Sequence, residues 1–471
     1  MATDAIHPWW RTELPFLVTL GVAAVVRVVV AVAFPPAFLM SDGPAYLNLA
    51  DALAPSPDRP VGYSIFLRGL QEISRSLVLI TSAQIVIGLL TAVVAYALLR
   101  RWGVSPGIAT LAVVPMLFDA MQLLLEHAVL SDVLFGLLVV SAVAALAWWP
   151  TPSPWTTAAA GLLLGLATLV RVIAEPSVVL AALFLLLVAT TWRARLLHVV
   201  LVVVTFALPL TAYAAWYHHE HGAWAITQAS GRALYMRTTT FVDCDAIAVP
   251  DYQRVLCPAE PVGRRNDPTW YGWHSKDTVP RLDLPLGVTE QQAMREFALQ
   301  AITTQPADYA RVVARDFLLP FVAVDRHDHY EMSTSVKWQF RTIVPYEHRS
   351  HYMSLAFDQR VGGIPAPRQP MANVMEWYGR VVFVPGPLAL ALLVLAIVGV
   401  VVRRPEEQPS LRPLGLLTLG MPLMLILVPD VTAQFVWRYQ LPLVVLLPLS
   451  AALGWTRIQH HRGTRATAST D

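Results

Sequence analysis

Ten apolar stretches, most of them near twenty residues long, limit what this chain can become. They run roughly 14–34, 77–99, 104–118, 128–149, 155–172, 176–192, 197–217, 381–402, 411–428 and 438–456. About 20 apolar residues cross the hydrocarbon core of a bilayer as one helix. The expected fold is therefore an all-α polytopic membrane bundle of about ten transmembrane helices. Only 14% of the 471 residues are charged, against about 25% in soluble domains, and the charges fall between the apolar runs. The net charge of +2 gives no sign of a nucleic-acid partner. The opening MATDAIHPWWRTE is polar, and the first apolar run is too long for a signal peptide and lacks a small-residue cleavage site after it, so no cleavable signal is expected.

Basic residues in short loops orient such a bundle. Arg11, Arg100, Arg101, Arg193, Arg195, Arg403, Arg404, Arg457, Arg462 and Arg465 all fall on one side if the spans are ten. That side, with both termini, is expected to be cytoplasmic in a multi-pass plasma-membrane protein. The outer face then collects the loop 35–76, a turn from Asp119 to His127, the turn Arg171–Pro176, an insertion over 218–380 and the turn Pro429–Arg438. Three regions follow: an N-terminal membrane module (1–217), an extracytoplasmic domain (218–380), and C-terminal membrane helices with a tail (381–471).

Within the insertion, Thr289 and Gln292 match a capping box. Ala293, Met294, Phe297, Ala301 and Ile302 then recur at helical spacing, and Pro306 can open a second helix through Tyr309, Val312, Val313 and Phe317. Cys244 and Cys257, both in the insertion, can pair in an oxidising compartment and staple the segment. They lack the further ligands a zinc site needs.

The first outer loop concentrates unusual residues in Ser41–Tyr63. Asp42 comes first, Pro44 suits the first turn of a helix, and Tyr46, Leu49, Ala50 and Leu53 give that helix an apolar side. The strip Arg59-Pro60-Val61-Gly62-Tyr63 follows. Asp42 has two readings, a helix cap or a catalytic carboxylate. The strip either lines a binding site or turns the chain back toward the second span.

Ionisable groups inside a membrane segment are costly and mark functional sites by default. Arg27 lies in the outer half of the first span. Glu126 and His127 open the fourth, with Asp132 a turn or two along the same helix. Arg171 and Glu175 lie at the outer ends of the fifth and sixth spans, and Arg438 and Tyr439 begin the tenth. Each can instead be structural: Arg171 and Arg438 can snorkel, or pair with Glu175 and Asp430. As a set they outline an outer cavity for an anion, and arginine suits phosphate through its two-pronged grip. Arg232 and Arg237, in GRALYMRTT, can join from the same side or belong to a solvated loop. The histidines of His218–His221 and of Asp325–Tyr330 fit interfacial and solvated loops better than metal sites.

The ordered set of motifs resembles a known superfamily. It comprises an outer-half Arg27, Asp42 with D-x-x-x-Y to Tyr46, R-P-x-G-Y from Arg59 to Tyr63, GLLLGLATLVR ending at Arg171, and R-Y-x-L-P from Arg438. This resembles the GT-C polyprenyl-phosphate (phospholipid carrier)-dependent glycosyltransferases, relatives of protein O-mannosyltransferases and of lipid A aminoarabinose transferases. GRALYMR, CDAIAVP and LCP in the insertion look like the actinobacterial members. The resemblance implies an inverting membrane glycosyltransferase. Such an enzyme moves a sugar from a polyprenyl-phosphate donor to a cell-envelope lipid, glycan or protein acceptor on the extracytoplasmic face. Asp42 becomes the base. Arg27, Tyr46, Arg59, Tyr63, Glu126, His127, Arg171, Arg232, Arg237, Arg438 and Tyr439 become candidates for holding donor phosphate or substrate. Several relatives carry a paired acid where Gly43 follows Asp42 here, and some hold a divalent cation with acids from two loops. The metal candidates are Asp42, Asp119, Glu126 and His127, with Asp132 another source of the second acid. The alternative function is a lipid or sugar-lipid transporter, against which the chain shows no repeated half with matching broken helices.

Overall fold

The structure is a computed structural model, and it describes residues 9–274, 282–322, 340, 367–402 and 411–468. Arg403, Arg404 and the Asp325–Tyr330 run lie outside the described residues. Among the described residues the regular structure is helical, and the only pairing of extended backbone is an isolated bridge between Phe38 and Ala128.

Among the described residues five helices are long and apolar enough to cross a membrane: Arg11–Ala33, Leu77–Arg101, Trp192–His221, Arg412–Thr432 and Trp437–Gln459. Two further candidates are helix pairs bent by 50°, Pro106–Phe118 with Ala120–His127 and Met371–Val381 with Gly386–Val401. Asp132–Ala147, Pro154–Val170 and Val172–Val188 are apolar but shorter. At 1.5 Å per residue these three reach about 25 Å, short of a hydrocarbon core of about 30 Å. All ten expected stretches are largely apolar helix, but among the described residues five to seven, not ten, meet the length requirement for a span.

The helices needed below are α1 (Trp9–Ala33), α2 (Gly43–Ala52), α3 (Gly62–Gln71), α4 (Leu77–Arg101), α5 (Pro106–Phe118), α6 (Ala120–His127), α7 (Asp132–Ala147), α8 (Pro154–Val170), α9 (Ser177–Val188), α10 (Trp192–His221), α11 (Ser230–Thr238), α12 (Glu290–Thr304), α13 (Pro306–Leu318), α14 (Met371–Val381), α15 (Gly386–Val401), α16 (Arg412–Thr432) and α17 (Leu441–Ala468). The last apolar helix is the hub: 89% of its membrane window is buried inside the bundle, against 22% for α10. The outward residues of α1 and α10, such as Val25, Val28, Leu208 and Val204, are exposed, as a lipid-facing surface requires.

Asp119 causes the bend between α5 and α6. One carboxylate oxygen caps α6 by accepting from Met121 N at 2.8 Å, and the other accepts from Val384 N at 2.7 Å. The expected outer turn Asp119–His127 is thus a helix, and all eight residues of α6 are buried. Glu126 and His127 end α6 and do not open the fourth span; residues 128–131 break the chain before Asp132 starts α7. The acid pair expected on one helix is divided between two.

The insertion has its own small core of Tyr235, Val242, Ile247, Leu256, Met294 and Phe297. The Thr289–Gln292 capping box forms, and Pro306 starts α13. Cys244 and Cys257 are disulfide-bonded with their Cα atoms 6.0 Å apart.

Candidate functional site

The first loop is fixed to the broken part of the bundle by backbone. Phe38 N donates to His127 O at 2.9 Å, and Val129 N donates to Phe38 O at 3.0 Å. This bridge carries the start of α2 to the start of α7, so Asp42 and Asp132 reach the same arginine, Arg438, although 90 residues separate them in sequence. Ser41 and Leu53, which bracket α2, both adopt positive φ, at 50° and 44°. Left-handed backbone at non-glycine residues costs of order 1 kcal/mol each and persists where the surroundings dictate it. Gly62 opens α3 against the end of α8, where a Cβ would lie 2.5 Å from Leu169 O. Only glycine permits that approach, which brings the Arg59 strip beside Arg171.

Asp42 occupies the N-cap position of α2 but makes no side-chain cap hydrogen bond. Its carboxylate faces two arginines. One oxygen is 2.8 Å from Arg59 Nη1, and the other accepts from Arg438 Nη2. Arg438 Nη1 stands 3.6 Å from Asp132 Oδ2, and Asp132 Oδ1 accepts from Arg171 Nη1. The result is a chain Arg59–Asp42–Arg438–Asp132–Arg171, three guanidinium groups against two carboxylates. One positive charge is left over. Aromatic faces line it: Arg59 lies over Tyr46 at 5.3 Å, and Arg171 over Tyr439 at 4.6 Å. Tyr46 Oη is 3.2 Å from Ser131 Oγ, at the α6–α7 break.

Burial alone would raise the pKa of Asp42, but the charges of Arg438 and Arg59, with their hydrogen bonds, outweigh it. The carboxyl is held well below the usual carboxylate range and stays ionised. At the centre, Asp132 Oδ2 and Arg438 Nη1 are buried without a hydrogen-bond partner. Both residues line a pocket whose polar end is Asp132, Arg171, Arg438 and Tyr439. Its walls are apolar, from Phe135, Val139 and Val140 on α7, Leu425 on α16, and Val445 and Leu446 on α17.

The other predicted site residues lie outside this chain of charges. Tyr63 packs edge-on against Tyr46 at 4.9 Å, and its hydroxyl donates to Gln84 Oε1 at 2.7 Å. Arg27 and Glu126 form a separate buried pair, at 2.6 Å and 2.7 Å. His127 Nε2 is 2.5 Å from Phe34 O, with the ring edge-on to Phe38. Arg237 is fully buried against Asp316 at 2.5 Å. Arg232 reaches Glu290 at 2.6 Å and Asp58 at 3.4 Å. Of the alternatives for Arg171 and Arg438, the structural pairing with Glu175 and Asp430 is not the one seen: Arg171 takes Asp132, and Arg438 takes Asp42 and Asp132. The His218–His221 tract is structural, with His221 Nε2 3.0 Å from Pro55 O and His218 stacked on Trp224.

The donor set does not suit a cation. Among the described residues no three His, Cys, Asp or Glu side chains gather at metal-binding distance. Asp119 is used by two backbone amides, Glu126 by Arg27, and both oxygens of Asp42 by arginines. Asp132 is the residue sequence reasoning undervalued. Its signal in the sequence is an acid inside an apolar run; that it starts a helix and shares Arg438 with Asp42 comes only from the fold.

The fold and site define an all-α polytopic membrane protein with a charged cluster opening on an apolar-walled pocket. No protein-family model matches the chain, and no curated protein matches it. Among solved structures it is similar to the S. cerevisiae protein O-mannosyltransferase Pmt1-Pmt2 complex bound to the sugar donor, at 13% identity and a TM-score of 0.37. The match covers 57% of this chain and 38% of that one, so it spans well under half of that chain's length.

Proposed function

We propose that this protein is a membrane glycosyltransferase that takes a sugar from a polyprenyl-phosphate donor and passes it, with inversion, to a cell-envelope acceptor on the extracytoplasmic face. One observation carries the reading. A pocket with apolar walls ends in Arg171, Arg438 and Tyr439, and Arg438 in turn holds Asp42. That is the chemistry of a lipid phosphate next to a carboxylate. The isoprenoid packs on the α7, α16 and α17 walls, and the phosphate meets guanidinium forks.

The mechanism follows from the charges. The bond from the anomeric carbon to the phosphate oxygen breaks as the acceptor oxygen attacks the opposite face. The acceptor proton goes to Asp42, and the polyprenyl phosphate leaves with the electron pair of the broken bond, its added charge met by Arg438 and Arg171. With both oxygens held by arginines, Asp42 is a weak base. A donor phosphate competes for Arg438 and adds its own negative charge, and both effects raise the pKa of Asp42. Donor binding thereby makes the base competent.

The test uses purified protein, a labelled polyprenyl-phosphate sugar and an extract of its own cell envelope. Transfer by wild type and not by Asp42→Asn is expected. Equal transfer by both removes Asp42 as the base, and absence of transfer or hydrolysis with every donor favours the transporter reading.

A further inference from the structure

A second group of side chains lies one residue from the Asp42 cluster. Asp58 precedes Arg59, so its Cα is about 3.8 Å from that of the residue pairing with Asp42. Arg232 of α11 links Asp58 to Glu290 at the start of α12, and its guanidinium lies 4.2 Å above the ring of Trp273. Four separate segments thus converge at Arg232, and its partner Asp58 is one residue along the chain from the arginine that pairs with Asp42. The bland account is a brace between the first loop and the insertion. A brace does not require its acids and aromatic ring to face outward, yet Asp58 is 44% exposed, Glu290 30% and Trp273 43%. Arg232 itself is mostly covered, and its Nε is buried without a hydrogen-bond partner.

We infer that this patch is the acceptor subsite and that the acceptor is a carbohydrate with neutral sugar residues; the inference rests on the transferase reading above. An indole fixed on one side by a guanidinium is a rigid plate, and the C–H face of a pyranose packs on such a plate. Two partly exposed carboxylates accept hydrogen bonds from hydroxyl groups, which a sugar has in number and an acyl chain lacks. Two acids against one arginine disfavour an anionic ligand. The patch therefore differs in sign from the Asp42 cluster, where arginines are in excess. Phosphate and acceptor are sorted by charge on either side of Arg59.

The experiment titrates full-length protein in nanodiscs with fluorescently labelled linear tetrasaccharides of mannose, glucose and galactose, read by polarisation. At least one is expected to bind saturably. Trp273→Leu should raise its Kd roughly tenfold, the size of one lost aromatic contact, and Trp273→Phe should recover most of it. If the leucine variant fails to assemble, Glu290→Gln serves, with an expected rise of about threefold for a hydrogen bond to a charged group in a partly wet site. Binding by none of the three sugars, or a Kd indifferent to these changes, overturns the subsite. The two readings fail separately. A sugar that binds through Trp273 but is never glycosylated keeps the patch and removes the transferase. Transfer whose acceptor KM ignores Trp273→Leu keeps the transferase and removes the patch.

Discussion

Two buried charge groups in this molecule look alike in sequence and are built on opposite principles. Arg27 and Glu126 are each 1% exposed. Arg27 spends all five of its N–H donors, two on Glu126 and three on the carbonyls of Ala23, Leu117 and Met116. Gln122 donates to the remaining side of the carboxylate at 2.8 Å. The chain from Arg59 to Arg171 is different. Asp42 is 26% exposed, Arg438 Nη1 and Asp132 Oδ2 have no hydrogen-bond partner, and the group borders a pocket. A buried charge with every bond made is scaffold, because any ligand would have to break those bonds. A buried charge left short of partners, next to space, is where a ligand gains most.

That contrast can be broken by substitution. The largest expected effect is at Asp42: Asp42→Asn should lower sugar transfer by about 10²- to 10⁴-fold, the usual contribution of a positioned base, while thermal melting shows a folded protein. If Asp42→Asn unfolds the protein instead, the open cluster is scaffold too. At the closed pair the effect moves to stability. Arg27→Ala strands a buried carboxylate and should cost about 3–5 kcal/mol, visible as a lower melting temperature or loss of assembled protein. Gly88→Ala attacks the same pair from outside, since its Cβ would lie 2.0 Å from Glu126 Oε1, and should also lower the melting temperature. Folded Arg27→Ala protein with normal stability would refute the scaffold assignment.

Smaller effects sharpen the distinction. Arg438→Lys keeps the charge but loses the fork, so the affinity for polyprenyl phosphate should fall by about tenfold, measured by direct binding. An unchanged affinity would place the phosphate elsewhere. The smallest effect is on pH. Asp42 has its folded pKa lowered, so its contribution to stability is present above its unfolded-state value and is lost only as pH falls through the lowered one. Arg59→Gln removes one of the two charges responsible. The acid limb due to Asp42 should then move to higher pH, toward the ordinary carboxylate range, in both melting and transfer profiles. A limb that stays in place would mean that Arg59 does not govern this carboxyl.

Much of the scaffold was legible in the chain because it depends on local pattern. Apolar length marked the five helices that are long enough to cross a membrane but also counted shorter and bent ones as spans; Pro44 and Pro306 marked helix starts, and Thr289 with Gln292 marked a capping box that forms as written. Of the eleven candidates around Asp42, five meet it or its ion-pair chain directly: Tyr46, Arg59, Arg171, Arg438 and Tyr439. Arg27, Glu126 and His127 shared their signature, a polar residue in an apolar run, but their bonds close on one another or on nearby backbone.

The sequence by itself determined that this is a membrane bundle, that a polar loop with an early acid follows the first helix, and that arginines stand where lipid-facing chains rarely keep them. Tertiary structure alone decided which charge meets which. Asp42 and Arg438 pair across 396 positions, and Arg27 and Glu126 across 99. A guanidinium in an apolar run has the same local cost whoever its partner is. Whether that cost is offset completely or left partly open depends on the bend at Asp119, the bridge at Phe38 and the close approach at Gly62, and these are set by packing between distant segments.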